Sequence, residues 1–174
     1  DVVLATKHGL SVRFHESDVR EMGRDTTGVK GIELRPADQV VGMVVIKRES
    51  TLLVVTEKGL GKCSEVSEYR VQKRGGKGVT GMETKEEDLV EDLFVASTHS
   101  YLLFFTNKGR VYWLKVHQIP EAGRQAKGKA IVNLIQIKSD ERVTAALPVR
   151  AFTPDHFILM ATKQGTIKKT ELAA

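Results

Sequence analysis

The chain has 174 residues, 41% hydrophobic and 28% charged, with a formal net charge of +5. That length buries a real core in one or two domains, and the composition excludes a disordered chain while favouring, weakly, an anionic partner. The single cysteine, Cys63, excludes an internal disulfide framework and a thiolate metal site, and no apolar run approaches the 18 or so residues that span a bilayer.

The opening residues, DVVLAT, lack a basic segment followed by a cleavable apolar core, so no export signal is read there. From Leu4 the chain runs LATKHGLSVRF. Three later segments align with it without gaps: VVTEKGLGKCS from Val54, FFTNKGRVYWL from Phe104 and MATKQGTIKKT from Met160. Each is an apolar run, then Thr-x-x-Gly, then a second run. β-Branched and aromatic residues on both sides of a short glycine-containing turn predict a β-hairpin. The turn glycines Gly9, Gly59, Gly109 and Gly165 fall 50, 50 and 56 residues apart, so the hairpin is a repeat.

A small basic loop follows each of the first three hairpins: TTGVKGIEL from Thr26, KRGGKGVTG from Lys73 and RQAKGKAIVNL from Arg124. Each keeps a lysine, read here as Lys30, Lys77 and Lys129. An apolar segment then closes each unit: VVGMVVIK from Val40, LVEDLFVAS from Leu89 and RVTAALPVR from Arg142. Two hairpins, or four strands, over about 50 residues are the mark of propeller blades. The expected repeats are about 1–47, 48–97 and 98–150, with a partial unit at 151–174, in one domain. Only EDLVEDLF, beginning at Glu87, invites a helix, and its counterparts in the other repeats read as strand. A β-sandwich or a pair of small barrels is the alternative, but neither requires sequence periodicity.

The stretch YRVQKRGGKGV, from Tyr69, packs four cations and three glycines into eleven residues. Downstream, Glu83, Glu86, Glu87, Asp88, Glu91 and Asp92 form an acidic run, so charge is segregated along the chain. A nucleotide phosphate loop is a poor fit. In GRDTTGVKG, from Gly23, Val29 intervenes before Lys30 and no hydroxyl residue follows the lysine. The histidines His8, His15, His99, His117 and His156 are scattered, with no metal-ligand spacing, and Cys63 on a predicted strand reads as packing. The acidic run lacks the alternating oxygen donors and glycine of a calcium loop. Neither a catalytic set nor a metal site is therefore assigned. Basic loops with glycine allowing close approach suit the phosphates of duplex DNA. Base stacking is poorly supported because Tyr69 is the only ring in the loop, and no recognition helix is visible.

Gln72-Lys73-Arg74-Gly75-Gly76-Lys77-Gly78 resembles the seven-residue GyrA box of the C-terminal domain of the DNA gyrase A subunit. The flanking EYR and GVTGM, and LFVASTHSYLLFFTNKGRVYWLKVHQIPEAGRQAKGKAIVNL, are similar to that domain as well, so the resemblance covers essentially the whole chain. It implies an all-β fold, a propeller-like β-pinwheel of four-stranded blades that exchange strands and wrap duplex DNA around a basic rim. It implies further that the domain is a non-catalytic accessory of an ATP-dependent type II topoisomerase and supports negative supercoiling. No cofactor is implied in this domain. The implied partners are double-stranded DNA, the gyrase B subunit together with the rest of gyrase A, in the bacterial cytoplasm beside the nucleoid and away from any membrane. The residues expected to contact DNA are Arg70, Gln72, Lys73, Arg74, Gly75, Gly76, Lys77 and Gly78 of the box, with Lys30, Arg124, Lys127 and Lys129 on the same rim. The acidic run is expected to lie off that path. In the family the intact box belongs to the first blade, whereas here a complete unit precedes it; the related topoisomerase IV subunit usually lacks an intact box. The rival reading is a propeller scaffold for protein interactions, its basic loops merely solubilising.

Overall fold

A computed structural model describes residues 1–47, 50–56, 59–84, 88–138 and 140–173. The first repeat supplies strands β1 (Val2–Thr6), β2 (Leu10–Phe14) and β3 (Val40–Val45). The second supplies β4 (Thr51–Thr56), β5 (Leu60–Glu65), the two-residue β6 (Val79–Thr80) and β7 (Val90–Ala96). The third supplies β8 (Tyr101–Thr106), β9 (Val111–Lys115), β10 (Lys129–Ala130), a single helical turn α1 (Val132–Ile135) and β11 (Val143–Val149). The last hairpin is β12 (Phe157–Ala161) and β13 (Ile167–Glu171). The segment that invited a helix is strand β7, paired antiparallel with β4 along its length. Glu86 and Glu87, from its start and from the acidic run, lie outside the described residues.

The sheets do not coincide with the repeats. The first has the order β3-β1-β2-β6 and the second β7-β4-β5-β10, so each takes three strands from its own repeat and the fourth from the next. The third sheet, β11-β8-β9, has three strands and the last, β12-β13, has two. The expectation of two complete hairpins per blade is corrected accordingly: blades are stitched by an exchanged strand, as the pinwheel resemblance implied. The edge strands β3, β7 and β11 lie against one another in succession. The exchanged strands occupy the opposite edge of each sheet.

The recurring Thr-x-x-Gly has a local cause. The amide of Gly9 donates to the Thr6 carbonyl at 3.0 Å, closing the turn, and the Leu10 amide donates to Thr6 Oγ1 at 3.1 Å. The same pair of bonds recurs at Thr56, Thr106 and Thr162. The four glycines have φ between +73° and +83°, a left-handed conformation that closes a three-residue hairpin loop and that glycine adopts most cheaply. In the first two repeats the threonine also donates to a carboxylate two residues before the edge strand: Thr6 to Asp38, and Thr56 Oγ1 to Asp88 at 2.8 Å. Burial pushes the Asp38 carboxyl up. The bonds from Thr6 and from the amides of His8 and Gln39, helped by the His8 ring, outweigh that and hold it below the usual range.

The core lies between consecutive sheets. All six residues of β4 are buried, because Leu52 and Val54 pack toward the first sheet while Leu53 and Val55 pack toward the third. A strand covered on both faces reads as an unbroken apolar run, as TLLVVT does.

Candidate nucleic-acid interface

Each basic loop follows a short 3₁₀ turn, and the second and third loops lead into the exchanged strands β6 and β10. The turns are Glu16–Asp18, Val66–Glu68 and Val116–Gln118. The residue after the second and third turns anchors its loop against the preceding blade. Tyr69 is 2% exposed and Ile119 1%, whereas Val19, after the first turn, is 38% exposed. The Tyr69 hydroxyl donates to the Gly81 carbonyl at 3.3 Å, and burial pushes its pKa up. The one ring of the loop is thus spent on packing.

The box then docks through its backbone. The Gln72 amide donates to the Arg13 carbonyl at 2.7 Å, as Ala122 does to Cys63 one repeat later at 2.9 Å. Arg13 reinforces this seam: its guanidinium meets the Asp1 carboxylate at 2.6 Å and donates to the carbonyls of Val66 and Tyr69 at 2.8 and 3.1 Å. The Gly75 amide donates to the Gly31 carbonyl at 2.8 Å, and the Glu33 amide to the Gly76 carbonyl at 2.9 Å, so the first two basic loops touch.

The three glycines of the box are not equivalent. Gly78 has φ +71°, and a Cβ there would lie 2.7 Å from the Ser11 carbonyl oxygen; Gly128, its counterpart, has φ +78° and would meet Gly61 at 2.9 Å. Gly75 has φ +80°. Gly75 is favoured by its backbone conformation, and Gly78 is demanded both by its conformation and by the docking of the exchanged strand. At Gly76 a Cβ would make only an ordinary 3.5 Å contact with Lys73, so the fold does not require glycine there. Gly76 is the one box glycine whose identity the fold leaves unexplained.

The cations divide in the same way. Arg70, Lys73, Lys77, Lys30 and Lys129 are exposed, and among the described residues their side chains have no hydrogen bond or ion pair. Lys127 is exposed and pairs with Glu83 at 3.4 Å, so the acidic run is not wholly displaced from the basic edge. Such an exposed pair is worth little and yields readily to a competing anion. Arg74 and Arg124 are half-buried and bonded to backbone: Arg74 Nε donates to the Asp18 carbonyl at 3.0 Å and its Nη1 to Lys30, while Arg124 Nη1 donates to Thr80. The register also corrects one equivalence. Val79 pairs with Ser11 and Lys129 with Gly61, so the counterpart of Lys77 is Lys127, and Lys129 belongs to the exchanged strand.

Sequence reading missed Lys62. It is fully buried on β5, where its Nζ donates to the carbonyls of Gly123 at 2.8 Å and Arg124 at 2.5 Å. Burial pushes its pKa down to about 8; nearby Glu68 opposes the shift and Arg124 adds to it. A folded-state pKa below the unfolded value of 10.5 means the unfolded chain holds the extra proton between pH 8 and 10.5. Stability should therefore rise through that window, by on the order of 2–3 kcal/mol, since the neutral amine keeps two N–H donors. Urea unfolding of the chain and of Lys62→Met at pH 7 and pH 10 checks this: the difference between them should move by that amount, and a constant difference refutes it.

Among the described residues, no group of three His, Cys, Asp or Glu lies together in a way that could hold a metal ion, and no helix is long and apolar enough to cross a membrane.

Comparison with known proteins accords with this geometry. A family model described as the DNA gyrase C-terminal domain, beta-propeller, matches residues 1–47, 50–97, 100–150 and 156–174. The DNA gyrase A subunit of Halalkalibacterium halodurans is 46% identical over 173 residues, which is 99% of this chain and 15% of that protein. Its equivalent from Escherichia coli K12 is 54% identical over 63 residues, 36% of this chain and 7% of that protein. A solved DNA gyrase A C-terminal domain superposes with a TM-score of 0.74 at 25% identity, over 85% of this chain and 50% of that one. The C-terminal domain of DNA topoisomerase IV shares the fold, with a TM-score of 0.72 at 23% identity over 85% of this chain and 46% of that one. The chain thus spans half or less of these solved domains and at most 15% of these full-length relatives. With the family model matching all four repeats, the chain belongs to the DNA gyrase C-terminal domain family.

Proposed function

We propose that this chain binds duplex DNA by its backbone and bends it along the edge formed by the exchanged strands, as a non-catalytic part of a DNA gyrase A subunit. The observation that carries the reading is the set of exposed, unengaged lysines, Lys30, Lys73 and Lys77 on the loops and Lys129 on the exchanged strand β10, along that edge. Arg70 and Lys127 add to it. Lysine heads are point charges suited to phosphate oxygens, and nothing in the loops is built to read a base edge. In the assembled enzyme, with the B subunit plus the rest of gyrase A, such bending would present a DNA segment for strand passage and so support ATP-driven negative supercoiling. Breakage and ATP hydrolysis belong to other parts of that enzyme. Its substrate places it with the bacterial chromosome in the cytoplasm.

The test is the salt dependence of binding to linear duplex. Each neutralised phosphate contributes roughly −0.9 to the slope of log K against log salt. Four to six contacts should weaken binding by about two to three orders of magnitude between roughly 50 and 200 mM salt. Duplexes of random sequence should bind within a small factor of one another. Binding that stays flat with salt, or none at low salt, removes the DNA reading and leaves the scaffold.

A further inference from the structure

We infer that Arg74 and Arg124 are positioning residues: each clamps its basic loop to the repeat before it, and the clamps set the spacing at which successive loops present their lysines. The clamp stands on geometry alone; its consequence for DNA rests on the function proposed above.

The same position in each loop carries an arginine: Arg24 after Gly23, Arg74 after Lys73 and Arg124 after Gly123. Where a described repeat precedes the loop, the guanidinium is half-buried and bonded to that repeat's backbone. Arg74 takes the carbonyls of Asp18 and Lys30, and Arg124 takes that of Thr80, inside the exchanged strand β6. Arg24 is exposed and makes no such bond among the described residues.

The choice of arginine has a chemical reason. The carbonyls of Asp18 and Lys30 come from opposite ends of the first loop, and a guanidinium offers donors on separate edges of one rigid plane. An ammonium is a single point and reaches one of them. Around both clamps the backbone is fastened as well. Gly75 and Glu33 exchange amide bonds with Gly31 and Gly76, the Arg124 amide donates to Glu68 Oε2 at 2.7 Å, and Lys62 Nζ holds the Gly123 and Arg124 carbonyls from below. The lysines flanking each clamp are left outward, so the loop's charge is divided between one cation that fixes position and others that face solvent.

The experiment uses Arg74→Lys and Arg74→Gln in the full-length protein, with Arg70→Lys, at an exposed and unengaged arginine of the same loop, as control, and reads the clamp with and without DNA. Without DNA, amide hydrogen exchange at Glu33 and Gly75 should quicken about tenfold in both Arg74 variants and stay unchanged in Arg70→Lys. Unchanged exchange in Arg74→Lys, or an equal effect from Arg70→Lys, overturns the clamp. With a short duplex of about 12 base pairs, the salt slope of Arg74→Gln should match that of the parent; a fall of about 0.9 would make Arg74 a phosphate contact and overturn the inference. With a duplex of about one persistence length, ~150 base pairs, protein-assisted circularisation should drop about fivefold in both Arg74 variants. Full circularisation by Arg74→Lys, which keeps the charge and loses the fork, also overturns it. If the parent protein itself fails to bind duplex, the proposed function falls, and the exchange measurement still decides the clamp.

Discussion

Gly9→Ala should destabilise the chain by about 2–5 kcal/mol, whereas Gly109→Ala should lower stability by only about 1 kcal/mol. Both glycines close the same turn, with φ of +77° and +73°, so the backbone penalty is shared. They differ in what lies over them. A Cβ at Gly9 would sit 2.1 Å from the Met82 carbonyl oxygen, because the amides of Gly81 and Met82 both donate to the Gly9 carbonyl, at 2.7 and 3.1 Å. Nothing lies within 4 Å of the Cβ position at Gly109, the turn of the third sheet, which lacks an exchanged strand among the described residues. The methyl at position 9 therefore has to push the second repeat's strand out of its seat. Urea unfolding of the two variants side by side is the measurement. Equal midpoints would mean that the exchanged strand contributes nothing to stability, which the bonding pattern does not permit.

The second large effect is functional. Lys73→Ala with Lys77→Ala, introduced together into an assembled gyrase, should reduce supercoiling tenfold or more while relaxation and decatenation are better retained. Both side chains are exposed and unengaged, so the melting temperature should hold within a few degrees. Bending a duplex through a large angle costs several kcal/mol, offset only by contacts at well-placed points, and these two lysines flank the glycine that the fold does not require. Binding should survive through Lys30, Lys127 and Lys129. Arg74 is deliberately left intact, since its bonds to Asp18 and Lys30 make its removal a structural change as well. Unchanged wrapping in the double variant would place the contact elsewhere. A uniform loss of every activity would signal misfolding instead.

What was legible in the sequence follows the range of the interactions. The hairpins were readable because Thr-x-x-Gly is self-contained: threonine hydroxyl, turn amides and glycine lie within five residues. The exchanged strands were not readable from periodicity. Each is two residues long, too short to show alternation, and it pairs with a strand some 68 residues away in the chain, as Ser11 with Val79. The resemblance supplied what pattern could not. The basic loops were visible as charge, but charge alone does not separate Lys73, which faces solvent, from Arg74, which faces backbone. The signal that separates them is the recurrence of arginine at 24, 74 and 124 beside lysines whose position drifts. Lys62 gave no warning, because its counterparts are Val12, Tyr112 and the exposed Lys168, and a lysine on a strand reads as surface. The carbonyls that satisfy it belong to the next repeat's loop.

The offset between sheets and repeats bears on how such a chain can grow or shrink in evolution. The second unit carries both an acceptor edge on its second strand and a donor strand for the unit before it, as β5 accepts β10 and β6 joins β2. Duplicating one repeat in the gene therefore inserts a matched acceptor and donor at once, and deleting one lets the following donor seal the edge left behind. The heritable module is the repeat while the folded module is the blade, displaced from it by one strand. Family members can then differ in blade number without reinventing a single interface, and a box-bearing unit can occupy a new place in the order while keeping neighbours that fit it.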